Sequence, residues 1–261
     1  MKNCIKNVVK NIVEAVFPER CRGCGVIGGF LCERCKKYIS EKGVVREIGE
    51  KGDLPRAEYL GFRDEILGEM VEECKYAPAR GLCAEVAEVV FSEYFEPSLN
   101  RGGGSLNERV LKKSGVKTSA GSPLILVPMP TSRRHVRERG FDHMDLICRE
   151  VAKLSGGSVR RVRLLERAKD TVQVGASSEV RRKQAKEAVR MNPRFMEDSG
   201  RVLEEYREVP VVLMDDVWTT GASLTEAGKM LMRAGVKDLR VLAVTKNRSQ
   251  KRPVIRHGEI D

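Results

Sequence analysis

Three short, continuous apolar runs constrain the fold of this chain more than any other sequence feature. They comprise residues 124–128, 209–214 and 239–245. A strand that is apolar at every position is buried on both faces, as happens in a parallel sheet covered by helices. The other predicted elements are a strand at 57–62 and helices at 65–74, 79–95, 142–154 and 224–234. The sequence therefore predicts an α/β domain with a parallel sheet flanked by helices.

The second apolar run leads into two adjacent acids and a turn of small, hydroxyl-bearing residues. Asp215 and Asp216 end the predicted strand, and the turn before the next helix contains Thr219, Thr220, Gly221, Ala222 and Ser223. Unpaired N–H groups at a helix N-terminus favour an anion, and carboxylates accept hydrogen bonds from sugar hydroxyls. This order predicts a site for a sugar phosphate. The alternative is an acidic turn in which Ser223 and Glu226 form a capping box.

Four arginines follow the first apolar run within seven positions: Arg133, Arg134, Arg137 and Arg139. Two prolines make the exit from the predicted strand stiff. Guanidinium groups match phosphate oxygens well, whereas a solvated basic loop is the alternative, and these residues alone favour neither. His135 and His143 lie beside arginines and are assigned no catalytic role.

Several motifs resemble a known family. The segment VVLMDDVWTTGAS resembles the signature of type I phosphoribosyltransferases that binds 5-phosphoribosyl 1-pyrophosphate (PRPP). The segments VPMPTSRRHVRERGFDHMDLI and DTVQVGAS resemble the ComF (GntX-like) branch, as do the four N-terminal cysteines and Lys75-Tyr76. The chain departs from that branch where Asp142 and His143 replace its usual Asn-Gln.

The resemblance implies a reaction and a set of site residues. Asp215 and Asp216 are the catalytic acids that hold the ribose hydroxyls, and the turn after them holds the 5-phosphate. The implied pyrophosphate site contains Pro128, Met129, Pro130, Thr131, Ser132, Arg133, Arg137 and Arg139. Residues 158–190 form a mobile hood over the site. The implied reaction transfers a phosphoribosyl group from PRPP, bound with Mg²⁺, to a nitrogenous acceptor and releases pyrophosphate.

Four of the eight cysteines form two C-x2-C pairs. They are Cys21, Cys24, Cys32 and Cys35. Four thiolates at this spacing predict a structural zinc site, with redox thiols or an iron–sulfur centre as alternatives. A site closed by four cysteines has no open coordination position, so we expect it to support folding or partner contact.

The bulk composition bears on partners and location. The net charge of +11 suits a polyanion, although charge alone favours a solvated basic surface. The ComF resemblance adds an alternative function: a non-catalytic protein that handles single-stranded DNA or serves a DNA-uptake machinery. The sequence contains no run of about 18 apolar residues, so no membrane span is predicted, and we expect a cytoplasmic protein. The predicted organisation is an amphipathic helix and zinc ribbon at 1–50, the main domain at 55–250 with a flexible insertion at 100–122, and a basic tail at 251–261.

Overall fold

The computed structural model describes residues 18–42, 46–47, 57–76, 80–96, 123–168 and 189–248. Residues 18–42 belong to one compact unit, and the described residues from 46 to 248 belong to a second. The predicted N-terminal helix, the insertion at 100–122 and the tail at 251–261 lie outside the described residues. Within the described ranges, no helix is long and apolar enough to cross a membrane.

The first unit contains one helix, α1 (Glu33–Glu41). The polar, Gly-rich composition of residues 36–55 predicts a linker or small hairpin, which is wrong for residues 36–41 because the helix is short and polar. Only Cys35 and Ile39 are buried along it, so its apolar periodicity is faint.

The second unit contains eight strands and five helices in its described part. The strands are β1 (Arg46–Glu47), β2 (Ala57–Phe62), β3 (Leu124–Pro128), β4 (Val159–Arg161), β5 (Leu165–Arg167), β6 (Val189–Met191), β7 (Pro210–Trp218) and β8 (Asp238–Lys246). The helices are α2 (Ile66–Glu73), α3 (Arg80–Val90), α4 (Arg133–Arg139), α5 (His143–Leu154) and α6 (Ala222–Arg233). A π-helical turn at Phe91–Phe95 extends α3, and two 3-10 turns lie at Pro193–Phe195 and Glu204–Tyr206.

Six strands form one sheet in the order β1-β2-β8-β7-β3-β4. All neighbours are parallel except β1 and β2. The register aligns Val211 of β7 with Ile125 of β3 and with Leu239 of β8. Helices α2 and α5 contact the sheet, as does α6, and β5 and β6 form a separate antiparallel ribbon. The predicted parallel sheet flanked by helices is confirmed.

The core explains why the apolar runs are continuous. Residues Ile125, Val211 and Leu213 pack in one cluster with Leu224 and Leu231 of α6. The strand residues between them are also fully buried, because successive side chains point to opposite faces and helices cover both.

Two local predictions need correction. The arginine-rich segment after β3 is a helix, α4, rather than a loop, because Ser132 caps its start and Gly140 ends it in the left-handed conformation (φ 77°). Strand β7 continues to Trp218, two residues beyond the predicted end at Asp216, so Asp215 and Asp216 lie within the strand. The acids and the polar turn after them concealed this extension, since polarity alone resembles a loop.

Candidate functional site

Strand β7 holds the two acids at the carboxyl end of the sheet. Alternation along the strand puts Asp215 on the face of Val211 and Leu213 and puts Asp216 on the opposite face. The Asp215 Oδ1 atom accepts a hydrogen bond from the Asp216 backbone N–H at 2.9 Å. The Asp216 Oδ1 atom accepts one from the Val217 N–H at 2.7 Å. Each carboxylate is therefore fixed by the backbone of the next residue.

Asp216 is bound by two basic side chains that the sequence analysis left without a role. Its Oδ2 atom lies 3.1 Å from Lys75 Nζ and 3.1 Å from His143 Nε2. Lys75 follows α2, and His143 is the first residue of α5. Only the family motifs signalled them, since both residues lie in segments quoted for that resemblance. Three segments that are far apart in the sequence therefore meet at the Asp216 carboxylate.

Burial separates the acidities of the two carboxyls. It raises the pKa of Asp215 to about 8, and the negative charge of Asp216 acts in the same direction. Burial also acts to raise the pKa of Asp216, but the hydrogen bond with His143 and the charge of Lys75 outweigh it and hold that pKa below its usual value. At pH 7 the pair therefore carries one proton on Asp215 and one negative charge on Asp216.

The turn after β7 exposes a helix N-terminus. Gly221 is the N-cap of α6, with φ 73°, and it has no side chain to bond the first N–H groups of the helix. The side chains of Thr219, Thr220 and Ser223 are exposed, and the Thr220 hydroxyl accepts a long hydrogen bond of 3.4 Å from the Ala222 N–H. The turn thus presents amides and hydroxyls suited to an anion.

The alternative capping box is wrong. Helix α6 begins at Ala222, so Ser223 is its second residue and not its N-cap. The left-handed conformation of Gly221 starts the helix two residues earlier than the capping box requires.

Gly221 is also required by a close contact. A Cβ atom at this position would lie 2.2 Å from Cζ2 of Trp218. The indole ring therefore packs where any side chain at residue 221 would stand, and only glycine fits both this space and the positive φ.

The segment after β3 lies next to the acid pair. The Met129 N–H donates to the Met214 carbonyl at 2.7 Å, which continues the pairing of β3 and β7. The Thr131 hydroxyl donates to Asp142 Oδ1 at 2.9 Å, and Ser132 Oγ accepts from the His135 N–H at 3.2 Å. The structure thus brings Pro128 and Met129 alongside Met214, the residue before Asp215, and the hydroxyls of Thr131 and Ser132 already have partners within the chain.

The three predicted arginines lie on α4 and not in the loop itself. Arg133 and Arg137 are exposed, and Arg139 is half-buried. Positions four residues apart share one helix face, so Arg133 and Arg137 point in a common direction. The structure places them directly after Ser132.

The four predicted cysteines of the first unit form a cluster. All their Sγ atoms lie within 4.8 Å of one another, and those of Cys24 and Cys32 are 3.5 Å apart. A tetrahedral zinc site places sulfurs about 3.8 Å apart, so the cluster fits a metal. Cys32 is the N-cap of α1 and Cys35 lies in its first turn, while Gly25 (φ 75°) turns the chain after Cys24.

Comparisons with known proteins complete the description. No model of a known protein family matches the chain, and no curated protein matches it. Among solved structures it is similar to hypoxanthine phosphoribosyltransferase of Trypanosoma cruzi, with 14% identity over 70% of this chain and 69% of that chain and a TM-score of 0.34. It is also similar to the Staphylococcus aureus enzyme, with 13% identity over 60% of this chain and 64% of that chain and a TM-score of 0.29. Both TM-scores are below 0.5, so the proposals below depend on the chain's own motifs and geometry.

Proposed function

We propose that this chain binds PRPP at the carboxyl ends of β3 and β7 and transfers its phosphoribosyl group to a nitrogenous acceptor with release of pyrophosphate. One observation carries the proposal: β7 delivers an acid pair directly ahead of a glycine-initiated helix, at the edge of a parallel sheet where ligands bind. The sequence motifs that resemble the ComF branch of the phosphoribosyltransferases support the proposal.

The 5-phosphate binds at the N-terminus of α6 in this proposal. The backbone N–H groups that open the helix point outward, and the helix dipole favours a negative group there. The hydroxyls of Thr219, Thr220 and Ser223 add donors. Gly221 keeps the backbone free of side-chain bulk where the phosphate approaches.

The ribose hydroxyls bind at the acid pair. Ionised Asp216 accepts hydrogen bonds, and Asp215, which holds its proton at pH 7, donates as well as accepts. The ribose competes with Lys75 and His143 for Asp216 Oδ2, since both contact that atom at 3.1 Å. We therefore expect these two residues to adjust the affinity for the sugar.

The chemistry needs no protein nucleophile. The bond between C1 of the ribose and the pyrophosphate oxygen breaks, and its electron pair leaves with pyrophosphate. The acceptor nitrogen forms the new bond to C1 and releases its proton. Positive charge develops on the ribose ring, so the fixed negative charge of Asp216 stabilises the transition state.

The pyrophosphate end is assigned to the segment after β3. PRPP enters as its Mg²⁺ complex, in which the cation neutralises pyrophosphate oxygens. The backbone of Pro128–Ser132 and the guanidinium groups of Arg133, Arg137 and Arg139 would hold that end. C1 lies between the 5-phosphate and the pyrophosphate of PRPP. Binding of both groups therefore fixes the position of C1, the atom that reacts.

The cysteine cluster is assigned to structural zinc. Burial acts to raise the pKa of Cys21, but backbone hydrogen bonds, the largest from Cys32, outweigh it and lower that pKa to about 6. A thiolate is the form that binds a metal, so this environment suits a ligand. Four cysteine ligands close the coordination sphere, and the metal therefore stabilises the first unit without taking part in the transfer.

The test is an assay of pyrophosphate release from PRPP and Mg²⁺ with a panel of nucleobases and amines. We expect release to depend on one class of acceptor. The Asp216→Asn variant should reduce the rate by about 100-fold, as loss of a group that stabilises transition-state charge does. The exposed Asp198→Asn variant is the matched control. Absence of release with every acceptor, from protein that binds PRPP, would contradict the transfer.

A further inference from the structure

A cavity of about 480 Å³ lies in the second unit, between the end of β4, the ribbon of β5 and β6, and the two 3-10 turns. This volume is within the range of about 300–1,000 Å³ that small-molecule sites occupy. Its cationic wall contains Arg160, Arg161, Arg163 and Arg194. Among the described residues that line it, Glu166 is the only acid.

The single lining acid does not neutralise these arginines. Glu166 Oε1 accepts a hydrogen bond from Arg190 Nε at 2.7 Å, across the β5–β6 ribbon. The pairing directs the carboxylate to a residue outside the cavity wall. Two acids outside the lining offset part of the arginine charge: Glu205 lies 3.7 Å from Arg160, and Asp145 pairs with Arg161 and Arg163. The four arginines outnumber these two acids, so the cavity keeps a net positive charge.

A buried carboxylate positions two of the four guanidinium groups. Asp145, in the first turn of α5, is 2% exposed and pairs with both Arg161 and Arg163, the latter through Nε at 2.7 Å. Burial acts to raise the pKa of Asp145, but the hydrogen bond from Arg163 and the nearby arginine charges outweigh it, so the group is ionised. Each guanidinium carries five N–H donors, and those that Asp145 does not engage remain available to a ligand.

A third guanidinium is uncommitted. The side chain of Arg194 makes no ion pair with any residue in the described part of the chain. Its backbone N–H donates to Asn192 Oδ1 at 3.1 Å, while Asn192 Nδ2 donates to the Arg163 carbonyl at 3.0 Å. Asn192 thus ties the backbones of Arg163 and Arg194 together, so both side chains start from neighbouring points on the cavity wall.

The opposite side of the cavity is aromatic. Phe195 and Tyr206 pack edge to face, with centroids 5.7 Å apart and an interplanar angle of 84°. Arg160 lies over the Tyr206 ring at 5.4 Å, and Tyr206 is only 4% exposed, so its ring is already covered. Half-buried Phe195 is the aromatic surface that a ligand ring can pack against, which a bare inorganic anion would leave unused.

We propose that this cavity binds a planar aromatic anion, namely a fused or single ring that carries a carboxylate or a phosphate. Arg163 and Arg194 hold the oxyanion. A guanidinium group can donate two parallel hydrogen bonds either to a carboxylate or to a phosphate. The ring packs against Phe195, which Tyr206 supports from behind. The site uses none of the residues assigned to PRPP, so it holds whether or not PRPP binds.

Calorimetry without PRPP tests the proposal with four probes: 1-naphthoate, 1-naphthyl phosphate, inorganic phosphate and the neutral 1-naphthamide. We expect at least one of the two ring anions to bind more tightly than both inorganic phosphate and the amide, by about tenfold or more, and the tighter one identifies the oxyanion. Arg194→Gln should weaken that binding by about tenfold, since it removes a charge-assisted hydrogen bond. Arg233→Gln, an exposed arginine of α6, is the matched control and should bind as the unaltered protein does.

Several results would overturn the proposal. They are a failure of both ring anions to bind, equal affinity for inorganic phosphate or for the amide, and equal losses in the two arginine variants. Oligothymidylate binding that Arg194→Gln weakens, while both ring anions fail, would assign the cavity to single-stranded nucleic acid instead.

Discussion

At the scale of single residues, the site is defined by the unequal environments of two adjacent acids. Asp215 is enclosed and holds a proton, whereas Asp216 is ionised between Lys75 and His143. A pair that keeps one proton and one charge offers both a donor and acceptors to a sugar diol. The burial of Asp215 also lowers the free energy of unfolding by an amount that depends on pH.

Asp215→Asn should remove that pH dependence. Because the pKa of Asp215 rises on folding, to about 8, its contribution to stability is present below about pH 4 and is lost as pH rises towards 8. We expect the free energy of unfolding of the variant to exceed that of the unaltered protein at pH 8.5 by on the order of 2 kcal/mol, with a smaller difference at pH 5.5.

Urea denaturation at the two pH values measures this difference. The exposed Asp198→Asn variant should follow the unaltered protein at both. A difference between Asp215→Asn and the unaltered protein that does not change with pH would show that Asp215 ionises normally.

The sequence predicts the acids and the turn of this site but not the partners of Asp216. The acid pair, Gly221 and the hydroxyls are consecutive, so their chemistry is readable from local order. Lys75 and His143 reach Asp216 only because α2 and α5 pack against the sheet, a consequence of tertiary structure that no spacing encodes. A histidine beside arginines gave no local sign of this role.

At the scale of elements, continuous apolar runs predicted strands, whereas the residues that begin and end a helix were not used to predict α4. Strands β2 and β3 have the predicted bounds, and in β3 every residue is apolar and buried, as a strand covered on both faces requires. Helix α4 was missed because six of its seven residues are charged or histidine and none has a buried side chain. The local signals of this helix lie at its ends, where Ser132 caps its start and Gly140 ends it.

Gly221→Ala should show that the start of α6 depends on glycine. Alanine at this position meets both a positive φ and the Trp218 ring, at 2.2 Å from Cζ2. Gly200→Ala is the matched control, since Gly200 has φ 76° but nothing within 4 Å of an added Cβ. We expect the control to lose about 1 kcal/mol of unfolding free energy and Gly221→Ala to lose about 3 kcal/mol.

Chemical denaturation of the two glycine variants measures the difference. Equal losses would mean that the Trp218 ring moves aside without cost. In that case the shape of the turn would be set by backbone strain alone.

At the scale of the whole molecule, the chain combines a small cysteine-rich unit with a larger α/β unit. The described residues of the first unit, 18–42, contain few buried apolar side chains, and a core that small rarely holds a fold without a metal or disulfides. Its four thiols are free of disulfides and clustered. The metal is therefore expected to supply the missing stability.

Metal analysis of the purified protein should find about one zinc ion per chain. Cys35→Ser should lose that zinc and make residues 18–42 sensitive to protease, because binding of a structural zinc is coupled to folding. Cys83→Ala, which alters a buried cysteine of the second unit, should retain the zinc. Iron in place of zinc, or a Cys35→Ser protein that resists protease as the unaltered one does, would contradict the assignment.

The measurement that tests the central claim most directly is calorimetric titration of the protein with PRPP and Mg²⁺. We expect one PRPP per chain, an affinity at least about tenfold lower for Asp216→Asn because a charge-assisted hydrogen bond is lost, and unchanged affinity for Asp198→Asn. No binding by the unaltered protein, or equal affinity in Asp216→Asn, would contradict a ribose phosphate site at the end of β7.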